Sequence, residues 1–216
     1  MSTYILRHGS TRPSTMGVVS GNPERRIPID ADGHRQAKMR STERWTSDVV
    51  TVVTSSLERT RQTADLLFES SRIVRWADAR FDEINYGVFE GGLWTSYGTW
   101  LRSHGAGARP AGSTESWNEA MGRVLDGLTD VLCFPRPRAI IGHGFWISGL
   151  LSLQDGKAWE HCADLGAPEH VCPVLFSDRE LRLVIERGRE ATADGSLSDA
   201  LMPAGSDVRG VRGTIQ

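Results

Sequence analysis

The chain opens on a short apolar run, residues 3–7 (TYILR), that stops at His8-Gly9, the pattern of a buried strand running into a loop. A stretch rich in Gly, Pro and Ser follows through Asp30, and Asp32 is placed to cap a helix reaching about Arg44. Residues 49–54 (VVTVVT) are β-branched throughout, as suits a strand covered on both faces. Leu57, Ala64, Leu67 and Phe68 then stand among polar positions at helical spacing, predicting an amphipathic helix over 57–68, with a third strand at 73–76. Between Gly87 and Gly112 there are seven glycines and three Trp or Tyr side chains with little period, predicting a loop-rich insertion with one helix near 95–103. Helical spacing returns over 116–132. Residues 138–141 (RAII) predict the next strand, which ends in Gly142-His143-Gly144 before a helix to about Leu153. Residues 171–176 and 181–185, on either side of Ser177-Asp178-Arg179-Glu180, read as a hairpin. From Arg189 the weakly apolar tail reads as an extension.

Strands alternating with helices predict an α/β layer with a mostly parallel sheet, in which ligands bind beyond the carboxyl ends of the strands. Two of those ends carry the same signature, ILRHG and IIGHG. One His-Gly pair is an ordinary turn; two at neighbouring strand ends would aim both imidazoles into one crevice. The segment SSLERTRQTA (55–64) follows the β-branched strand and opens a helix. Its free N–H groups and the Arg59 guanidinium suit a phosphate or carboxylate. The alternative for Arg59 is a surface pair with Glu58.

Composition narrows the function classes. The 216 residues, 39% hydrophobic and 24% charged, are ordinary for a globular protein. A chain of this size buries about 70% of its surface on folding. Twenty-five basic against 27 acidic residues argue against nucleic-acid or membrane partners. No apolar run approaches a bilayer span, and the opening MSTYILRHG does not read as a secretory signal. The three cysteines form no CxxC, so reduced thiols and a cytoplasmic location are expected. His161, Cys162, His170 and Cys172 are the one rival constellation, a candidate zinc set. Adjacent His-Cys is awkward for chelation, so the expectation is no metal.

LRHGST (6–11), SSLERTRQTA (55–64), DEINYGVFEG (82–91), GSTESW followed by Arg123, and IIGHG (140–144) together resemble the histidine phosphatase superfamily, the phosphoglycerate mutases and their phosphatase relatives, over about residues 3–185. The resemblance implies a three-layer αβα sandwich with a mixed, mostly parallel sheet. It implies a catalytic domain over 1–188 with a lid at about 84–113, and an extension over 189–216. It implies that His8 is the nucleophile, that Arg7 and Arg59 bind the phosphoryl oxygens, that His143 is the second imidazole and that Glu83 donates the proton. Like-charge repulsion from two arginines keeps a histidine neutral and nucleophilic, and the same cations stabilise the transition state without a metal or other cofactor.

Three departures from the family pattern imply a divergent pocket. Ser10 stands where Glu or Gln is usual, Arg12-Pro13-Ser14 where a pocket asparagine would fall, and Gly142 where a small hydroxyl residue commonly precedes the second His-Gly. Ser10, Thr11 and Ser14 are thus candidate substrate contacts. Tyr86, Phe89, Trp94, Tyr97 and Trp100 either pack the insertion's own small core or, some of them with Trp146, stack on an apolar or ring-bearing leaving group. The expected function is hydrolysis of a small phosphorylated metabolite. The alternatives are a mutase-type phosphotransferase and a non-catalytic phospho-ligand binder. Nothing in the pattern excludes a homo-oligomer.

Overall fold

The computed structural model describes residues 2–69, 72–157 and 164–199. Its strands β1 (Ser2–Arg7), β2 (Thr51–Thr54), β3 (Val74–Ala77), β4 (Arg138–Gly142) and β5 (Val174–Ser177) form one sheet in the order β3-β2-β4-β1-β5. The first four are parallel, and β5 closes one edge antiparallel to β1. Every residue of β2 and β4 is buried, which is why their sequences are continuous rather than alternating apolar runs. β3 lies at the other edge and is exposed, with Trp76 resting on Phe134 at 5.6 Å.

The helices are α1 (Arg12–Thr15), α2 (Ala31–Arg40), α3 (Arg44–Asp48), α4 (Glu58–Leu67), α5 (Trp94–His104), α6 (Trp117–Val131), α7 (Gly144–Gln154) and α8 (Asp178–Asp199). Strand pleat divides the apolar side chains between two faces. Leu6, Val52 and Ile141 pack with Ala37 of α2 and Ala64 and Leu67 of α4. Ile5, Val53, Ile140 and Phe176 pack with α6, α7 and α8 through Met121, Leu150, Leu181 and their neighbours. The result is an αβα sandwich on a mixed, mostly parallel sheet. Each fully buried Leu, Ile, Val or Phe stabilises it by roughly 1.5–3 kcal/mol, so the strand ends that carry the site are anchored from both sides. No helix among the described residues is long and apolar enough to cross a membrane.

Two local expectations are corrected. The cap of α2 is Asp30, whose carboxylate accepts the Gly33 N–H at 2.8 Å, and the helix ends at Arg40. Residues 181–185 are not the second strand of a hairpin but the second turn of α8. Ser177 and Glu180 form a reciprocal cap, Ser177 N–H to Glu180 at 2.7 Å and Glu180 N–H to Ser177 Oγ at 3.2 Å, which turns the chain into a helix directly after β5. Leu181, Val184 and Ile185 are then buried at helical spacing while Leu183 faces solvent. α8 runs unbroken through Arg189, which reaches Asp126 of α6 at 3.1 Å. Residues 200–216, the rest of the expected extension, lie outside the described residues.

The insertion holds a short 3-10 turn, Gly87–Phe89, and α5, close to its expected place. Its aromatics touch one another, Tyr97 meeting Tyr86 at 4.9 Å, Trp94 at 5.5 Å and Phe89 at 5.7 Å, and they continue the core formed with α6, α7 and α8. Backbone bonds join it to the loop after α1, with Trp94 N–H on Gly17 O at 2.8 Å and Val19 N–H on Gly92 O at 2.9 Å.

Candidate active site

Arg7 of β1 pairs with Gly142 of β4, so the two strands end level, and His8 N–H donates to Gly142 O at 3.0 Å. His8 and His143 therefore emerge side by side, their rings 5.2 Å apart. β2 ends beside β4, with Ser55 N–H on Ile141 O, and α4 starts two residues after Ser56. Its first turn lays Arg59 across both imidazoles: Nε donates to His8 Nε2 at 3.2 Å and Nη2 to His143 Nδ1 at 3.2 Å and Ser20 O at 2.9 Å. His8 Nδ1 donates to Gly9 O at 2.7 Å, which fixes the tautomer and leaves the Nε2 lone pair free of its own proton. His143 Nε2 donates to Ser55 Oγ at 2.8 Å.

The loop after β1 is held as tightly. Gly9 N–H donates to Thr63 Oγ1 at 2.9 Å and Ser10 Oγ to Asp30 at 2.9 Å. The first turn of α2 presses on this loop so closely that a Cβ at Gly33 would stand 2.4 Å from Ser10 O, which only glycine avoids.

Glu83 comes from a different segment, the one between β3 and α5. Arg123 grips its segment, donating to the carbonyls of Arg80 (2.8 Å), Asp82 (2.9 Å) and Glu83 (3.1 Å) and to both carboxylate oxygens of Glu115. Asp82 in turn accepts the N–H and hydroxyl of Ser56, each at 2.6 Å. Arg7 donates Nη1 to Pro168 O at 3.1 Å, while its Nε is buried without a partner. A cavity of about 320 Å³ opens over these groups, and Arg7, His8, Arg59 and Glu83 line it together.

Burial and charge set the protonation states. His8 lies well below the usual imidazole range, first because it is buried and then because Arg59 and Arg7 repel a second positive charge. His143 is depressed the same way, by burial and then by Arg59. Burial raises Glu83 to about 7 against the opposing pull of Arg59. The site thus pairs a neutral imidazole with a carboxyl that exchanges its proton near neutrality, the arrangement of a nucleophile and an acid–base partner. Among the described residues no group of three or more His, Cys, Asp or Glu is disposed to hold a metal ion.

The other sequence candidates divide. Thr11, Ser14 and Trp94 line the cavity. Ser10 does not: it is buried, and its hydroxyl is turned to Asp30. Trp146 does not either; it lies fully buried under β4 with Nε1 on Phe81 O at 3.2 Å. His170 takes an unforeseen place, its Nδ1 donating to His8 O at 2.7 Å and its ring 5.5 Å from that of His8. Cys172 is a free thiol, and His161 and Cys162 lie outside the described residues. Trp117, also in the cavity wall, ends the GSTESW segment but was given no role there, and Phe145 and Leu165 carried no signal beyond their place in an apolar helical run and a loop.

Residues 3–184 match the histidine phosphatase superfamily, branch 1. The chain belongs to that superfamily. Among its curated relatives, the probable phosphoglycerate mutase GpmB of Escherichia coli is 26% identical over 214 residues, covering 94% of this chain and 97% of the relative. The protein of that name from Klebsiella pneumoniae is 33% identical over 90 residues, a match that spans only 41% of the relative's length. Solved structures of the same fold include the alpha-ribazole phosphatase of Shigella flexneri (19% identity, TM-score 0.67, 82% of this chain and 90% of that one). A mycobacterial glucosyl-3-phosphoglycerate phosphatase is similar (21% identity, TM-score 0.67, 82% and 92%). In this member of the superfamily the two His-Gly strand ends and the ERTRQTA helix are the elements that meet at the cavity floor.

Proposed function

We propose that this superfamily member is a phosphatase that hydrolyses a small-molecule phosphomonoester through a phosphohistidine on His8, without a metal. The observation that carries this reading is the His8 tautomer: Nδ1 donates its N–H to Gly9 O, so Nε2 is unprotonated and its lone pair accepts the Arg59 Nε–H beside the cavity.

The steps follow from the groups present. Phosphate oxygens draw the guanidinium of Arg59 away from Nε2 and engage the unpartnered Nε of Arg7. Nε2 attacks phosphorus, a P–N bond forms and the P–O bond to the alcohol breaks. The protonated Glu83 gives its proton to the departing oxygen. As a carboxylate it then takes a proton from water, which attacks phosphorus, breaks the P–N bond and returns His8 to its neutral state. The guanidiniums of Arg7 and Arg59 face the charge on the equatorial oxygens throughout, the role a metal fills elsewhere.

The names of the curated relatives raise a mutase-type phosphotransferase as the second reading. Retention of His8, His143 and Glu83 supports an enzyme over a phospho-ligand binder. The test is phosphate release from benzyl and p-nitrophenyl phosphate in EDTA, for the wild type and His8→Ala, with acid-quenched trapping of phosphohistidine. Turnover that survives EDTA and disappears in the variant is the expected result. Turnover retained in His8→Ala, or abolished by EDTA, overturns the reading.

A further inference from the structure

The phosphate end of the cavity and its remainder differ in chemistry. Among the described lining residues the ionisable groups are gathered at one end, in Arg7, His8, Arg59 and Glu83, with Tyr86 beside them. The rest of the wall is largely apolar, with Val18, Val19, Trp94, Phe145, Leu165 and Ala167 contributing. Two of its hydroxyl groups are turned to the backbone: Ser148 Oγ donates at 2.8 Å toward Gly144 O and Gly166 O, and Ser14 Oγ donates to Thr11 O at 2.8 Å. Thr11 Oγ1 already accepts the Ser14 N–H as the cap of α1.

We propose that this apolar half accepts an uncharged, largely apolar alcohol, so that the substrates are monophosphates of aryl, arylalkyl or short alicyclic alcohols rather than sugar phosphates or phosphorylated carboxylic acids. The proposal rests on the phosphatase reading for the bond that is broken, but it concerns only what the wall recognises. Among the described residues of the wall, a second acid group on the alcohol meets no cation besides Arg7 and Arg59, which serve the phosphoryl group. Sugar hydroxyls lose their water against Val18, Val19, Phe145 and Leu165, and Ser14 and Ser148 beside them are turned to the backbone, which penalises them. At about 320 Å³ the cavity also sits at the small end of ligand sites, with room for a phosphoryl group and roughly one ring.

The experiment separates binding from turnover. Calorimetric titration of the whole chain with two non-hydrolysable phosphonates, benzylphosphonate and phosphonoacetate, reads the wall directly. Benzylphosphonate is expected to bind at least about tenfold tighter. Val18→Lys, which adds a cation at the wall without touching the phosphate contacts, is expected to reverse that order. In parallel, kcat/KM for benzyl phosphate should exceed those for glucose 6-phosphate and 3-phosphoglycerate by about 100-fold. Equal or tighter binding of phosphonoacetate by the wild type, or a preference for either polar ester, overturns the proposal while leaving phosphatase activity intact. Preferential benzylphosphonate binding with no ester hydrolysed upholds the wall's preference and removes the phosphatase reading instead.

Discussion

Gly142 and Trp146 compete for the same space: a Cβ at position 142 would stand 2.0 Å from Cζ2 of Trp146. The missing hydroxyl residue before the second His-Gly is thus matched by a large indole one helical turn later. Gly142→Ser should destabilise the protein by about 2 kcal/mol, lowering Tm by about 4–8 °C. In a Trp146→Leu background the same substitution should cost little, a coupling of more than about 1 kcal/mol in a double-mutant cycle. Additive effects would show that the indole has room to move aside.

Glu83 is expected to matter in proportion to the basicity of the leaving group. Glu83→Gln should slow phosphohistidine formation from benzyl phosphate by about 10²–10⁴-fold. It should slow formation from p-nitrophenyl phosphate far less, because p-nitrophenolate departs without a proton. Rapid-quench measurement of the first turnover reads this step directly. In the wild type the benzyl phosphate rate should fall as pH rises through about 7, where Glu83 loses its proton.

The same carboxyl has a stability cost. Its pKa in the fold is about 7, above the usual 4.5, so between those values the folded protein holds more protons than the unfolded chain. Stability due to this group therefore falls as pH rises through that window. Glu83→Gln lacks the titration and should gain on the wild type with rising pH, levelling off above about 7. Allowing for the part of the carboxyl that water reaches, the gain is about 1 kcal/mol, or about 2–4 °C in Tm. Paired thermal melts at pH 5 and pH 8 check the sign.

His170 touches the His8 carbonyl, and an effect on turnover is expected through that bond. Its pKa is lowered to about 4, by burial and then by Arg7, so it is neutral through the working range and holds its Nδ1 proton for that bond. His170→Ala should lower kcat about tenfold with KM little changed and the pH profile between 5 and 8 unaltered in shape. His170→Asn, whose amide can donate from a similar place, should recover most of the loss. A displaced acid limb in His170→Ala would mean that the ring titrates in catalysis instead.

Arg123 holds the Glu83 segment with a planar fork that spans three carbonyls and Glu115. Lysine offers one ammonium at the same reach and cannot span them. Arg123→Lys should cost about 2–3 kcal/mol in stability. It should also reduce turnover of benzyl phosphate more than that of p-nitrophenyl phosphate, since it displaces the proton donor.

What the chain determined by itself was local and short in range. The continuous apolar strands at 49–54 and 138–141, the amphipathic spacing at 57–68 and the two His-Gly ends each declare an element within a few residues. Their order led to an α/β layer with a mostly parallel sheet, and the resemblance carried by LRHGST, SSLERTRQTA, DEINYGVFEG and IIGHG led to the three-layer sandwich and to His8, Arg7, Arg59, His143 and Glu83. The run at 181–185 shows the limit of periodicity: LRLVI satisfies a strand as well as a helix, and the Ser177–Glu180 cap decides between them. Contacts between distant segments were settled only by packing. Ser10 turns to Asp30, twenty residues on, and Trp146 folds under β4 because Gly142 leaves it space. His170 reaches His8 across 162 positions because the segment before β5 runs beside the end of β1. A side chain's neighbours along the chain fix its element and its face; which remote surface that face meets depends on how the layers dock. The apolar half of the cavity, assembled from α1's flank, the insertion, α6 and α7, exists only after that docking.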